Sequence, residues 1–214
     1  KKVFERSNIG FIMVNKEHFE NDIDADHYTK YNRVIGSDFN LFSKDNRWTG
    51  KAFYHHSLSD DNTSGGGQHG AEVTYTNNRY QFNWNHQYVN QDFDAEVGFI
   101  IRNNAFRMNP NATMFIFPDS KSINRIDLKL GFEQVIKPGG GLLDRNVNFG
   151  IENRFKSTAN LELQGNLDYV LLTGDFDPTG VDTISLLEGE VFRNAQLELS
   201  YRSIIISYSL LVVV

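Results

Sequence analysis

Apolar and polar residues alternate with a period of two along most of this chain. In segment 80–88, Tyr80, Phe82, Trp84, His86 and Tyr88 alternate with Gln81, Asn83, Asn85 and Gln87. Successive side chains of a strand point to opposite faces, so the segment predicts a strand with one aromatic face and one amide face. The pattern recurs downstream. Ile126, Leu128, Leu130 and Phe132 alternate with Arg125, Asp127, Lys129 and Gly131. Val147, Phe149 and Ile151 alternate with Asn148, Gly150 and Glu152. Leu161, Leu163, Leu167 and Tyr169 alternate with Glu162, Gln164, Asn166 and Asp168, and Leu197, Leu199 and Tyr201 with Gln196, Glu198, Ser200 and Arg202. Near Ser203 the parity flips, because Ile204, Ile206, Tyr208 and Leu210 are even-numbered; a bulge or tight turn is the simplest account.

Helical periodicity is hard to find, and turn signals separate the alternating runs. They include Asp45-Asn46, Thr76-Asn77-Asn78, Pro138-Gly139-Gly140-Gly141, Lys156-Ser157-Thr158 and Asp177-Pro178-Thr179-Gly180. Polar stretches 20–29 and 57–68 read as loops. The spacing predicts about ten or eleven strands, many near the roughly ten residues a tilted strand needs to cross a bilayer. The expected fold is therefore all-β: an antiparallel up-and-down transmembrane β-barrel, or part of a larger one, with 1–214 as a single domain. A soluble β-sandwich also alternates apolar-in and polar-out and is the alternative. Aromatics at Phe39, Phe42, Trp48, Tyr54, Tyr169 and Tyr201 favour the barrel, since they are expected at strand ends, where interfacial girdles lie.

Composition narrows the classes. Hydrophobic residues make up 40% and charged residues 22% of 214 positions, which speaks against disorder. A net charge of −6 argues against nucleic acid as a partner. With no Cys, a disulfide framework, a thiol nucleophile and a zinc-thiolate site are excluded. The longest apolar stretch, 204–214, is interrupted by Ser207 and Ser209, so no membrane-spanning helix is expected. A mean hydropathy of −0.44 suits a soluble protein and a polar-lumen barrel equally. The chain starts Lys1-Lys2-Val3, without Met, and is expected to be a piece of a longer precursor.

Three segments carry a family resemblance. They are Arg6-Ser7-Asn8-Ile9-Gly10-Phe11-Ile12-Met13-Val14-Asn15-Lys16, Tyr31-Asn32-Arg33-Val34-Ile35-Gly36-Ser37-Asp38-Phe39-Asn40 and Asp92-Phe93-Asp94-Ala95-Glu96-Val97-Gly98-Phe99-Ile100-Ile101-Arg102. In this order the chain resembles the C-terminal barrel domain of a family of large Bacteroidota outer-membrane proteins of unknown function. In that family the barrel follows an N-terminal β-sandwich similar to carbohydrate-binding modules of family nine. The resemblance implies an outer-membrane location, with outer-membrane lipid as a partner and other envelope proteins or glycans as further ones. It brings no established activity and no catalytic residues. The sugar-binding-like module has no counterpart here, and the chain ends Leu211-Val212-Val213-Val214 where such barrels commonly end in an aromatic residue.

Candidate chemistry is sparse. Arg125, Asp127, Lys129, Glu152, Arg154, Glu162 and Asp168 lie on polar strand faces together with Glu133, Glu198 and Arg202. An Arg or Lys on a lipid face costs about 2–4 kcal/mol at the bilayer midplane, so these charges are expected to face a lumen. Their near balance suggests a cross-linked, mostly filled interior: an anchor, an assembly component or a narrow transport channel. Asp92, Asp94, Glu96 and Arg102 flank Gly98 and read as a binding or gating element at a rim, or as a locally paired turn. Asp22, Asp24 and Asp26 have alternating calcium-loop spacing, but His27 and Arg33 stand where an EF-hand needs Gly and Glu. Asp175, Asp177 and Asp182 could collect calcium through hard oxygens. His55 and His56 are adjacent and should face opposite ways, which disfavours a shared metal with His69. No metal or cofactor is expected. Neither G-x-S-x-G, H-E-x-x-H nor a P-loop occurs, so an enzyme is the less favoured reading. A lumenal carboxylate pair of glycosidase type stays open as a third reading, and sugar binding through Trp48, Trp84 and Tyr88 belongs to the soluble alternative.

Overall fold

The computed structural model describes residues 2–3, 6–19, 29–98, 102–178, 185–204 and 206–213. Among them the regular structure is all β, with thirteen strands and no helix. The strands fall into two compact units, Lys1–Thr74 with Trp84–Arg107 and Tyr75–Asn83 with Met108–Val214.

In the first unit, β1 (Lys2–Val3), β2 (Ser7–Glu17), β3 (Tyr31–Phe42) and β4 (Trp48–Ser59) pair antiparallel in chain order. The order continues into β5 (Gly66–Thr76), β6 (Tyr80–Val89) and the short β7 (Ala105–Met108). The register puts Ile9, Phe11 and Met13 beside Phe39, Ser37 and Ile35, which in turn neighbour Ala52, Tyr54 and His56. The opposite face carries Asn8, Asn32, Asp38, Asn40, Lys51, His55, Ser57 and Ser59.

The second unit holds the tip of the β5–β6 hairpin, whose first β6 residues pair with β8 (Asn111–Ile116). From β8 the antiparallel order runs through β9 (Ile123–Lys137), β10 (Gly141–Phe155), β11 (Asn160–Leu171), β12 (Val191–Arg202) and β13 (Ser207–Val213). The parity flip near Ser203 is a tight turn. Arg202 pairs with Ser207, and the Ser203 amide donates to the Ile206 carbonyl at 2.7 Å. The excess over ten or eleven strands comes from the two-residue β1 and from the β7–β8 interruption at Asn109-Pro110, where Pro offers no ladder donor.

Burial runs opposite to a water-soluble sheet. Among the described residues the buried set holds Ser7, Asn32, Ser57, Ser59, Asp127 and Glu152 alongside only six apolar residues. Large apolar side chains are outside instead: Leu130 is 60% exposed, while Asp127, on the opposite face of the same strand, is 1% exposed. On β9, β10, β11 and β12 many of the apolar positions predicted from parity are exposed, including Leu128, Phe149, Ile151, Leu163, Leu167 and Leu199, while Ile126, Phe132, Val147, Leu161 and Tyr169 are half-buried and Gln164 and Arg202 of the polar face are exposed. Phe11, Met13, Ile35 and Tyr54 repeat this in the first unit. Of the aromatics expected at strand ends, Phe42 and Trp48 are there, and Tyr201 is one residue from the end of β12. Tyr54 is mid-strand in β4 and Phe39 is inside β3, because alternation alone does not locate a strand's end.

Candidate functional site

The polar face of β9, β10 and β11 carries a continuous chain of ion pairs. Antiparallel register sets Glu152 opposite both Asp127 and Glu162, and Arg154 opposite Arg125. Like charges face each other directly, so the long side chains reach diagonally to opposite charges. Arg125 holds Asp127 at 2.6 Å, and the Arg154 Nε donates to the same carboxylate at 3.1 Å. Arg154 Nη2 also donates to Glu152 at 3.1 Å. Lys129 then bridges Glu152 at 2.8 Å and Glu162 at 2.7 Å. Six of the seven sequence-nominated charges thus form one linked set. Asp168 lies further along the same face of β11 and accepts from Asn146 Nδ2 at 2.6 Å, with Asn148 donating to Asn146 at 3.1 Å. Every carboxylate in the linked set already accepts from a guanidinium or ammonium group. The arrangement suits strand cross-linking better than acid–base exchange.

In the first unit, segment 90–98 folds onto the polar face of β2, β3 and β4. Phe93 is 1% exposed. The Asp94 amide donates to Ser57 Oγ at 2.9 Å. Asn32 grips the segment twice, donating to the Asp94 carbonyl at 3.3 Å and accepting from the Glu96 amide at 3.4 Å. Glu96 takes an ion pair from Lys16 of β2 and a hydrogen bond from the Thr29 hydroxyl. Burial works to raise the Glu96 carboxyl, but the donors Lys16 and Thr29 outweigh it and hold it below the ordinary range. Gly66 lies where a Cβ would meet the Phe93 amide nitrogen at 2.1 Å, so glycine is what lets the segment approach β5. Between the segment and the strands is a polar cleft of about 280 Å³, lined by Asn32, Ser57, Asp61, Asp92, Asp94 and Asn103 among others.

Of the four rim residues nominated from sequence, Asp92 and Asp94 line this cleft, while Glu96 is drawn away to Lys16. Arg102 is half-buried and is not among the cleft residues. Phe99, Ile100 and Ile101 lie outside the described residues. Sequence reasoning missed Lys16, Asn32, Ser57 and Phe93 as the anchors. The available signal was a lone phenylalanine between two aspartates, which is out of place in a solvated loop.

The remaining candidates separate. Asp22, Asp24, Asp26, His27 and Asp182 lie outside the described residues. Asp175 accepts from the Glu188 amide at 2.9 Å. His55 stacks on Phe53 at 5.0 Å and contacts Gln68 at 3.0 Å, whereas His56 reaches the Ser64 carbonyl at 3.2 Å. His69 packs instead against His86 and Tyr88, at 5.7 and 5.6 Å between ring centroids. In the segment 80–88, Tyr80, Phe82 and Trp84 are exposed, and Gln87 donates to Gln68 at 3.3 Å. Gln81 and Asn85 are exposed as well, and Asn83 is half-buried.

Residues 3–202 match the family described as Domain of unknown function (DUF5916). The chain belongs to this family. The match covers both the ion-pair chain of β9–β11 and segment 90–98 of the DUF5916 domain. No curated protein and no solved structure matches it.

Proposed function

We propose that this DUF5916 domain is an outer-membrane β-barrel wall that anchors a larger surface protein and leaves at most a narrow passage. The observation that carries the reading is the inverted polarity of β9–β12. A linked set of charges is sequestered on one face, and a face of Leu, Ile, Phe and Tyr is left in contact with the surroundings. In water that apolar face would be an aggregation surface, whereas in hydrocarbon it is the required one. Two further features support it. Strands β2–β6 and β9–β12 are 10 to 15 residues long, against the roughly nine to eleven that a tilted transmembrane strand needs. Connections after β3, β4, β5, β8, β9, β10 and β12 are short (43–47, 60–65, 77–79, 117–122, 138–140, 156–159 and 203–206), while those after β2, β6 and β11 are long (18–30, 90–104 and 172–190). Long loops recurring among short turns are the habit of such barrels.

The kinship with Bacteroidota outer-membrane proteins that carry a family-nine-like carbohydrate-binding sandwich is part of this proposal, as are the lipid and envelope partners. The experiment is extraction followed by gel mobility. The protein should need detergent and should migrate differently before and after boiling. A monodisperse, detergent-free monomer would overturn the reading in favour of a soluble β-module.

A further inference from the structure

We infer that segment 90–98 is an inward-folded constriction, held by a releasable latch, that sets the conductance of the passage. The inference rests on the barrel reading above, which makes the polar strand face the lumen face. Lys16, Asn32, Ser57 and Ser59 share that face by register, and the segment lies on it. Its far side is therefore not available to lipid.

The attachment has two unlike parts. One is a seat: Phe93 is buried, Gly66 gives room for the 92–93 backbone, and Asn32 and Ser57 satisfy main-chain groups of Asp94 and Glu96. Buried main-chain groups that would otherwise be orphaned make this seat specific. The other is the Lys16–Glu96 ion pair with Thr29, which ties the segment to β2 across a long sequence separation. Side chains of both partners keep some exposure, at 25% and 14%, so the pair can exchange with water and ions. A long loop pinned inward at its start and tied by one exchangeable charge pair is a movable obstruction, unlike the fully linked charges of β9–β11. Even when docked it leaves the polar cleft of about 280 Å³ beside the strands.

The test is single-channel recording in planar bilayers, with the boiled and unboiled gel shift measured on the same preparations. Wild type should show small or no steps. The pair Lys16→Gln with Glu96→Gln, and separately Gly66→Val, which pushes the segment off its seat without changing charge, should each give several-fold larger or more frequent openings. The chain has no Cys, so Asn32→Cys with Asp94→Cys placed in the latch-free background should close under oxidant and reopen under reductant. If all forms insert with the normal gel shift and conduct alike, the constriction is refuted and the barrel stands. If no form inserts or shifts on the gel, the barrel reading falls and takes the constriction with it.

Discussion

Asp127 shows what the polar face demands of a single residue. It is almost fully buried, and it accepts from two guanidinium groups, those of Arg125 and Arg154. Replacing it by Ala leaves Arg125 and Arg154 facing each other across β9 and β10. Removal of one partner from a buried ionic set costs about 3–5 kcal/mol. Because Arg154 is 42% exposed, the loss should lie near the lower end, about 3 kcal/mol, read from denaturant unfolding of detergent-solubilised protein. Leu130 tests the other face of the same strand. In water a substitution at so exposed a residue shifts stability by at most about 0.5 kcal/mol, whereas an arginine against hydrocarbon costs about 2–4 kcal/mol. Leu130→Arg should therefore destabilise the vesicle-inserted protein by the larger amount, and a change near zero would argue for water on that face. Gly165 is a third such position. It lies opposite Phe149, whose ring occupies the space a Cβ would need at 2.2 Å. Gly165→Leu must dislodge the ring and should lower stability by about 1–3 kcal/mol, the usual range for overpacking.

At the level of elements, the strands and their faces were legible in the sequence. Parity put Leu128, Leu130, Phe149 and Leu163 on one face and Arg125, Asp127, Glu152 and Glu162 on the other, because a strand's side-chain period leaves no freedom once the strand exists. The pairing of those charges was not legible, since it depends on register between strands, and like charges turn out to be direct neighbours. Segment 90–98 was legible only as a charged motif. Its docking depends on Asn32 and Ser57, about 60 and 37 residues earlier, and no local pattern links them. The segment has its own pH dependence. Glu96 is held below its ordinary value of 4.5, so its contribution is complete above that value and is lost as pH falls through its lowered value. Protonation of Glu96 removes the negative partner of the ion pair with Lys16. Protection factors across 90–98, corrected for the intrinsic pH dependence of amide exchange, should therefore fall on acidification below about pH 4.5 while the amides of β9–β11 stay protected. Protection factors that are flat from neutral pH to pH 3 would remove the latch from the account.

At the level of the whole molecule, both units expose apolar side chains from one sheet face and keep polar groups on the other. That shared inversion is what makes membrane insertion the central claim, independent of any activity. The chain reports on it with its own fluorophores. It has two tryptophans, Trp48 and Trp84, both exposed; Trp48 shares the face of Tyr54 by strand parity, and Trp84 has the opposite parity to Gln87, which reaches the His55 face through Gln68. In vesicles made with acyl-brominated lipid, a Trp48→Phe variant isolates Trp84. The account predicts blue-shifted emission that brominated acyl chains quench strongly and aqueous iodide quenches weakly. Red-shifted emission, quenched by iodide and indifferent to brominated lipid, would contradict it.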